Sequence, residues 1–286
     1  MFDLIHFCSQ ILFQMNIKPF LIIVLALFIV VLSDSCKKKK KKKGTEVKQP
    51  MKERIKMKKV KVLRKFEHSG DRTYTQGLEI HNGVLYESTG LDNISSVKKI
   101  DPGTGALLQS QPIKNAFAEG LTVAGGKVFI LTYRRGVALN YDTASLEETG
   151  IAFSYKGEGW GLTNDGNNLI ISDGSEKLFF RDLETFQLTK TLTVQYNSTP
   201  QYFINELEYV DGKIYANVYG RPYILAIDPK TGHVLEDIDA SAVSCSNLSK
   251  SDPEAVLNGI AYNPESGTFF ITGKRCPYIY EVTFEF

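Results

Sequence analysis

The sequence predicts an all-β protein: a five-bladed β-propeller of four-stranded antiparallel blades, its ring closed by an N-terminal strand. Three observations predict it. A short signature recurs five times, a tight-turn dipeptide follows it at a near-constant offset, and a β-rich segment follows each turn.

The signature reads Gln76-Gly77-Leu78, Glu119-Gly120-Leu121-Thr122, Trp160-Gly161-Leu162-Thr163, Asn205-Glu206-Leu207-Glu208 and Asn258-Gly259-Ile260-Ala261. Its second positions lie 43, 41, 45 and 53 residues apart, the period of one blade. Asn82-Gly83, Gly125-Gly126, Asp165-Gly166 and Asp211-Gly212 follow four copies and favour two-residue hairpins; Ser266-Gly267 follows the fifth. Segments such as Val128-Phe129-Ile130 and Leu169-Ile170-Ile171 supply the second strands. Asp-Pro-x-Thr-Gly at residues 101–105 and 228–232 ends a third strand in two units. The fifth unit stops after its third strand, and residues 59–66 can supply the missing outer one. A β-sandwich would leave the five matching signatures unexplained.

The N-terminal sixty residues have another composition. Residues 20–32 are all apolar, a 13-residue run preceded by Lys18, which suits a secretory signal and is short for a span of about 20. Ser33-Asp34-Ser35-Cys36 follows and resembles a relaxed lipobox, which would make Cys36 a lipid anchor. The expected organisation is a signal peptide over residues 1–36, a Lys-rich tether over 37–58 and the propeller over 59–286. Met15 is an alternative start. The expected location is the bacterial cell envelope, lipid-anchored in the periplasm, with secretion as the alternative.

Residues 37–61 carry 14 basic and 2 acidic side chains, a net of +12, whereas residues 62–286 carry a net of −9. The tether is a self-repelling linker or an attraction to anionic head groups, at about 1 kcal/mol per lysine near the surface. The basic run lies outside the folded part and has no interleaved aromatics, which argues against nucleic acid. A monomer is expected. Cys245 and Cys276 either pair or remain buried thiols.

In a propeller the first strand of each blade lines the central channel, and the second returns antiparallel to it. Glu119 to Tyr133 and Asn205 to Tyr219 are both separations of 14, and Lys274 falls 14 after Ile260. Gln76, Glu119, Tyr133, Trp160, Asn205, Tyr219 and Lys274 should therefore converge on one channel rim. A carboxylate, an ammonium, two amides and several aromatics suit a polar substrate, although a plain Glu119–Lys274 salt bridge would also satisfy the charges. Glu158 competes with Glu119 as a base. The histidines beyond the tether (His68, His81 and His233) lack metal-ligand spacing, so neither metal nor cofactor is expected. Asp165-Gly166 and Asp173-Gly174 fit turn chemistry as well as calcium.

Tyr74-Thr75-Gln76-Gly77-Leu78, Tyr86-Glu87-Ser88-Thr89-Gly90, Glu119-Gly120-Leu121-Thr122 and Glu158-Gly159-Trp160-Gly161-Leu162-Thr163 resemble the plant-type glutaminyl cyclases. So do Asn205-Glu206-Leu207-Glu208, Tyr215-Ala216-Asn217-Val218, Leu257-Asn258-Gly259-Ile260 and Thr272-Gly273-Lys274. The resemblance runs in order over residues 74–284. It implies a five-bladed propeller acting on peptides or proteins with N-terminal glutamine, giving pyroglutamate and ammonia. Carried over by position, it implies Glu119, Lys274 and Asn205 as catalytic residues and Gln76, Tyr74, Tyr133, Trp160 and Tyr219 as substrate-binding ones. The family usually has Phe at Tyr74 and Trp at Tyr133, Tyr219 and Cys276. The alternatives are a non-catalytic, lipid-anchored propeller that binds peptides or glycans, and a propeller lactonase holding a channel cation.

Overall fold

The computed structural model describes residues 54–68, 73–243 and 252–286. The signal segment, Cys36, most of the tether and Cys245 lie outside the described residues. The compact unit Glu53–Phe286 is all-β, with 22 strands among the described residues. Four-stranded antiparallel sheets form from β2 (Thr75–His81) to β5 (Leu107–Pro112), β6 (Ala118–Ala124) to β9 (Glu148–Ser154), and β10 (Leu162–Asn164) to β13 (Leu188–Thr193). A hairpin, β14 (Gln195–Tyr196) with β15 (Thr199–Pro200), follows. An eight-stranded sheet runs in the order β16 (Ile204–Val210), β17 (Lys213–Val218), β18 (Tyr223–Ile227), β19 (Val234–Asp239), β1 (Lys56–Glu67), β22 (Tyr278–Glu285), β21 (Thr268–Gly273) and β20 (Leu257–Asn263).

The long N-terminal strand β1 (Lys56–Glu67) holds the large sheet together. It pairs antiparallel with β22 (Tyr278–Glu285) from Lys59 to Glu67, and parallel with β19 (Val234–Asp239) from Lys56 to Lys59. The strand thus begins inside the stretch assigned to the tether, where Lys58 pairs with Glu236 at 2.8 Å. Just beyond β1, His68 Nε2 donates to the Glu87 carboxylate (2.8 Å), which also accepts from Thr75 Oγ1 at 2.7 Å and Lys98 Nζ at 3.2 Å. This buried cluster ties the end of β1 to the first sheet.

The signature has a packing cause. The first strands β2, β6, β10, β16 and β20 lie against one another in a cycle, with β20 returning to β2. A Cβ on Gly77 would come within 2.3 Å of Leu121 N, on Gly120 within 2.4 Å of Leu162 N, and on Gly161 within 2.0 Å of the Asn205 carbonyl. Each glycine is where one sheet's inner strand meets the next, so no side chain fits. In the fourth copy Glu206 takes the glycine's place. Its fully buried carboxylate reaches across, accepting from Leu78 N (3.1 Å) and Ile260 N (2.8 Å).

Candidate active site

The ends of the inner strands carry the predicted rim residues. Tyr74 bridges to Lys274, which sets the start of the first sheet against the end of β21 (Thr268–Gly273). The Lys274 ammonium lies 5.0 Å from the Tyr74 ring centroid and 5.1 Å from that of Tyr219. Tyr219 meets Trp160 edge-on at 5.9 Å, and Tyr133 lies 5.7 Å from Phe117, which meets Tyr74 at 6.1 Å. Lys274 thus lies against two rings, Tyr74 and Tyr219, and each of these continues into a run of further aromatics, Phe117 and Tyr133 on one side and Trp160 on the other.

Glu119 is 5 % exposed and Lys274 6 %. Burial pushes the Glu119 carboxyl well above its ordinary range; Lys274 partly offsets this and Glu158 adds to it. Burial likewise lowers the Lys274 ammonium, against the pull of Glu119 and Glu254. The two feel each other's charge, yet no ion pair within 4.0 Å joins them among the described residues. The plain salt bridge allowed by the sequence is not formed.

Second strands hold the inner strands of the next copies. Ser88 Oγ donates to the Glu119 carbonyl at 2.5 Å, and Ser172 Oγ to that of Asn205 at 2.7 Å. Asn217 Oδ1 accepts from Gly259 N at 2.8 Å. The Asn205 side chain is 2 % exposed, and its amide oxygen has no hydrogen-bond partner. Gln76 Oε1 accepts from Asn258 Nδ2 at 3.4 Å. A buried amide with a free polar atom is suited to a polar ligand group.

Glu158 is placed differently from a general base. It accepts from Trp160 Nε1 (3.0 Å) and Arg134 Nε (2.9 Å). Burial would push its carboxyl up, but those hydrogen bonds and the Arg134 charge outweigh it and hold Glu158 below its ordinary range. It orients the indole.

Two rim residues were not singled out from the sequence. Phe117 closes the aromatic wall between Tyr74 and Tyr133, and it stands two positions before Glu119 as Tyr74 stands two before Gln76. That shared offset would have found it. Glu254 accepts from the Tyr74 hydroxyl at 2.5 Å and has no counterpart in the other copies. Cys276 is buried in the core, disulfide-bonded, with its partner outside the described residues. Asp165 accepts from Asn167 N and Asn168 N, and Asp173 from Ser175 N, so both carboxylates serve turns. Among the described residues no group of three or more His, Cys, Asp or Glu is arranged to hold a metal ion.

A deprotonable carboxyl, an ammonium and a free amide, enclosed by aromatics, can move a proton and stabilise a developing oxyanion on a small polar group. The comparisons agree with that chemistry. The sequence model of the family described as glutamine cyclotransferase matches residues 27–284. The glutaminyl-peptide cyclotransferase of Arabidopsis thaliana is 36 % identical over 231 residues, covering 79 % of this chain and 72 % of its own. The crystal structure of Myxococcus xanthus glutaminyl cyclase superposes with a TM-score of 0.75 at 34 % identity, over 81 % of this chain and 99 % of its own. The chain belongs to the glutamine cyclotransferase family.

Proposed function

We propose that the protein is a glutaminyl-peptide cyclotransferase whose rim residues convert N-terminal glutamine to pyroglutamate by metal-independent acid–base catalysis. The observation that carries the mechanism is the Glu119–Lys274 pair: buried, mutually sensitive in charge, and unpaired within one aromatic enclosure.

The α-amine of the substrate attacks its own side-chain carboxamide carbon, forming the ring C–N bond. Glu119 takes the proton from that amine and delivers one to the departing nitrogen, which leaves as ammonia. Its raised pKa brings the carboxyl nearer the operating pH, where such a group is worth about 10²–10⁴-fold. Lys274 or Asn205 stabilises the oxyanion, at about 10²–10³-fold per donor. Trp160, Tyr133, Tyr219, Tyr74 and Phe117 enclose the glutamine in its bent conformer, and Gln76 lines the floor. Holding that conformer matters because closure is intramolecular.

The body is read as a five-bladed propeller. Three separate four-stranded sheets, an eight-stranded sheet divisible at the parallel β1–β19 pairing, and the cycle of inner strands support this. Export and anchoring through Cys36, with the lysines at a membrane surface, rest on residues 20–43 of the sequence; mass spectrometry of the mature N-terminus tests them. A monomer is expected.

Incubation with a glutaminyl dipeptide, followed for ammonia and pyroglutamyl product, tests the activity. Binding of the peptide without ammonia would favour the non-catalytic binding module.

A further inference from the structure

We propose that Phe203 and Tyr202 form a second binding site, which takes apolar side chains of the substrate residues that follow the N-terminal glutamine. The proposal rests on the cyclase reading of the rim.

Three positions that stand two residues before an inner-strand rim residue already face the site: Tyr74 before Gln76, Phe117 before Glu119 and Glu158 before Trp160. Phe203 holds the same place before Asn205. Unlike Tyr74, which is 8 % exposed, Phe203 is 57 % exposed, and its neighbour Tyr202 51 %.

The Phe203 backbone is in the left-handed region, with φ +64°. That region suits Gly or Asn and is unfavourable for a bulky side chain. The backbone work done there needs no aromatic: Phe203 N donates to the Gly174 carbonyl at 2.8 Å, and its own carbonyl accepts from Tyr219 N at 2.9 Å. The ring meets no other aromatic ring among the described residues, and more than half of the residue is exposed. A strained, exposed phenylalanine that stacks on no other ring points to a ligand.

Its position identifies the ligand. Tyr219 is one wall of the site, and Gly174 lies against the other, because a Cβ on it would come within 2.7 Å of the Trp160 ring. Phe203 thus sits on the lip that joins both walls. A peptide whose first residue packs against Trp160 and Tyr219 and leaves over this lip advances about 3.3–3.6 Å per residue. On this path its second and third side chains meet Phe203 and Tyr202.

The test compares kcat/KM for Gln-Gly-Gly and Gln-Leu-Phe in the wild type, Phe203→Asn and Tyr202→Ser. The wild type should favour the apolar peptide by about 2- to 10-fold, expressed in KM. In the variants that ratio should fall towards one. Phe203→Asn should also raise Tm by about 2–4 °C by relieving the backbone. No preference in the wild type, or a preference retained in both variants, overturns the proposal. A higher Tm with the preference intact overturns it too, because the strain would then have no role in binding. Failure of the wild type to release ammonia from either peptide overturns the cyclase reading together with this site.

Discussion

Ser88 Oγ donates to the backbone carbonyl of Glu119 at 2.5 Å, so the second strand of one sheet holds the candidate base of the next. The same device recurs at Ser172 and Asn205. The placing of these two candidate site residues thus rests on contacts between sheets.

Ser88→Ala should therefore lower kcat with little change in KM, since the carbonyl it anchors belongs to the proposed base. Stability should drop by about 0.5–1.5 kcal/mol, as for one lost hydrogen bond. Steady-state kinetics and a denaturant melt separate the two effects; an unchanged kcat would make Ser88 purely structural.

Lys274→Met should cost about 10²-fold or more in kcat while Tm changes little. The absence of a close Glu119–Lys274 ion pair motivates this, because removing the lysine breaks no direct contact to the carboxylate. A destabilised but fully active variant would show that the lysine serves the fold.

The repeat and the rim were legible in the sequence for a single physical reason. Gly77, Gly120 and Gly161 must be glycine where inner strands touch, and each marks the rim residue directly before it. Gln76, Glu119 and Trp160 are legible that way, and Asn205 from the matching place in the fourth copy, where Glu206 replaces the glycine. Tyr133, Tyr219 and Lys274 followed from hairpin length. Glu254 was not legible, since it lies in a connection outside the repeat and reaches Tyr74 across the ring closure. The role of Glu158 was also hidden: whether a carboxylate is free or committed depends on Arg134 and Trp160, which spacing does not weigh.

Glu254→Gln should move the alkaline limb of the kcat–pH profile to lower pH. Burial already lowers the Lys274 ammonium, and Glu254 is one of two charges that raise it. Removing that charge lets Lys274 deprotonate earlier, and the oxyanion loses its donor. The acid limb, set by Glu119, should keep its place. An unmoved alkaline limb would dissociate Lys274 from the rate.

Stability should fall as pH rises, because of the buried carboxyls Glu79, Glu206 and Glu208. Burial foremost raises all three above the ordinary carboxyl value, so the folded state favours their protonated forms. Their contribution is full below the unfolded value of 4.5 and is lost as pH climbs towards the folded values. Glu87 runs the other way. Burial would raise it, but His68, Lys98 and Thr75 hold it at about 2, so its contribution is lost as pH falls towards that value. Glu208→Gln should flatten the decline in Tm as pH rises above the ordinary carboxyl value of 4.5. An unchanged slope would remove Glu208 from the linkage.

Ammonia release from a glutaminyl dipeptide by wild type and Glu119→Gln, each checked for intact fold, tests the central claim most directly. The wild type should release one ammonia per pyroglutamyl product, and the variant should lose about 10²–10⁴-fold in kcat with its fold unchanged. Comparable turnover by the folded variant would contradict Glu119 as the base, and no ammonia from the wild type would contradict the activity itself.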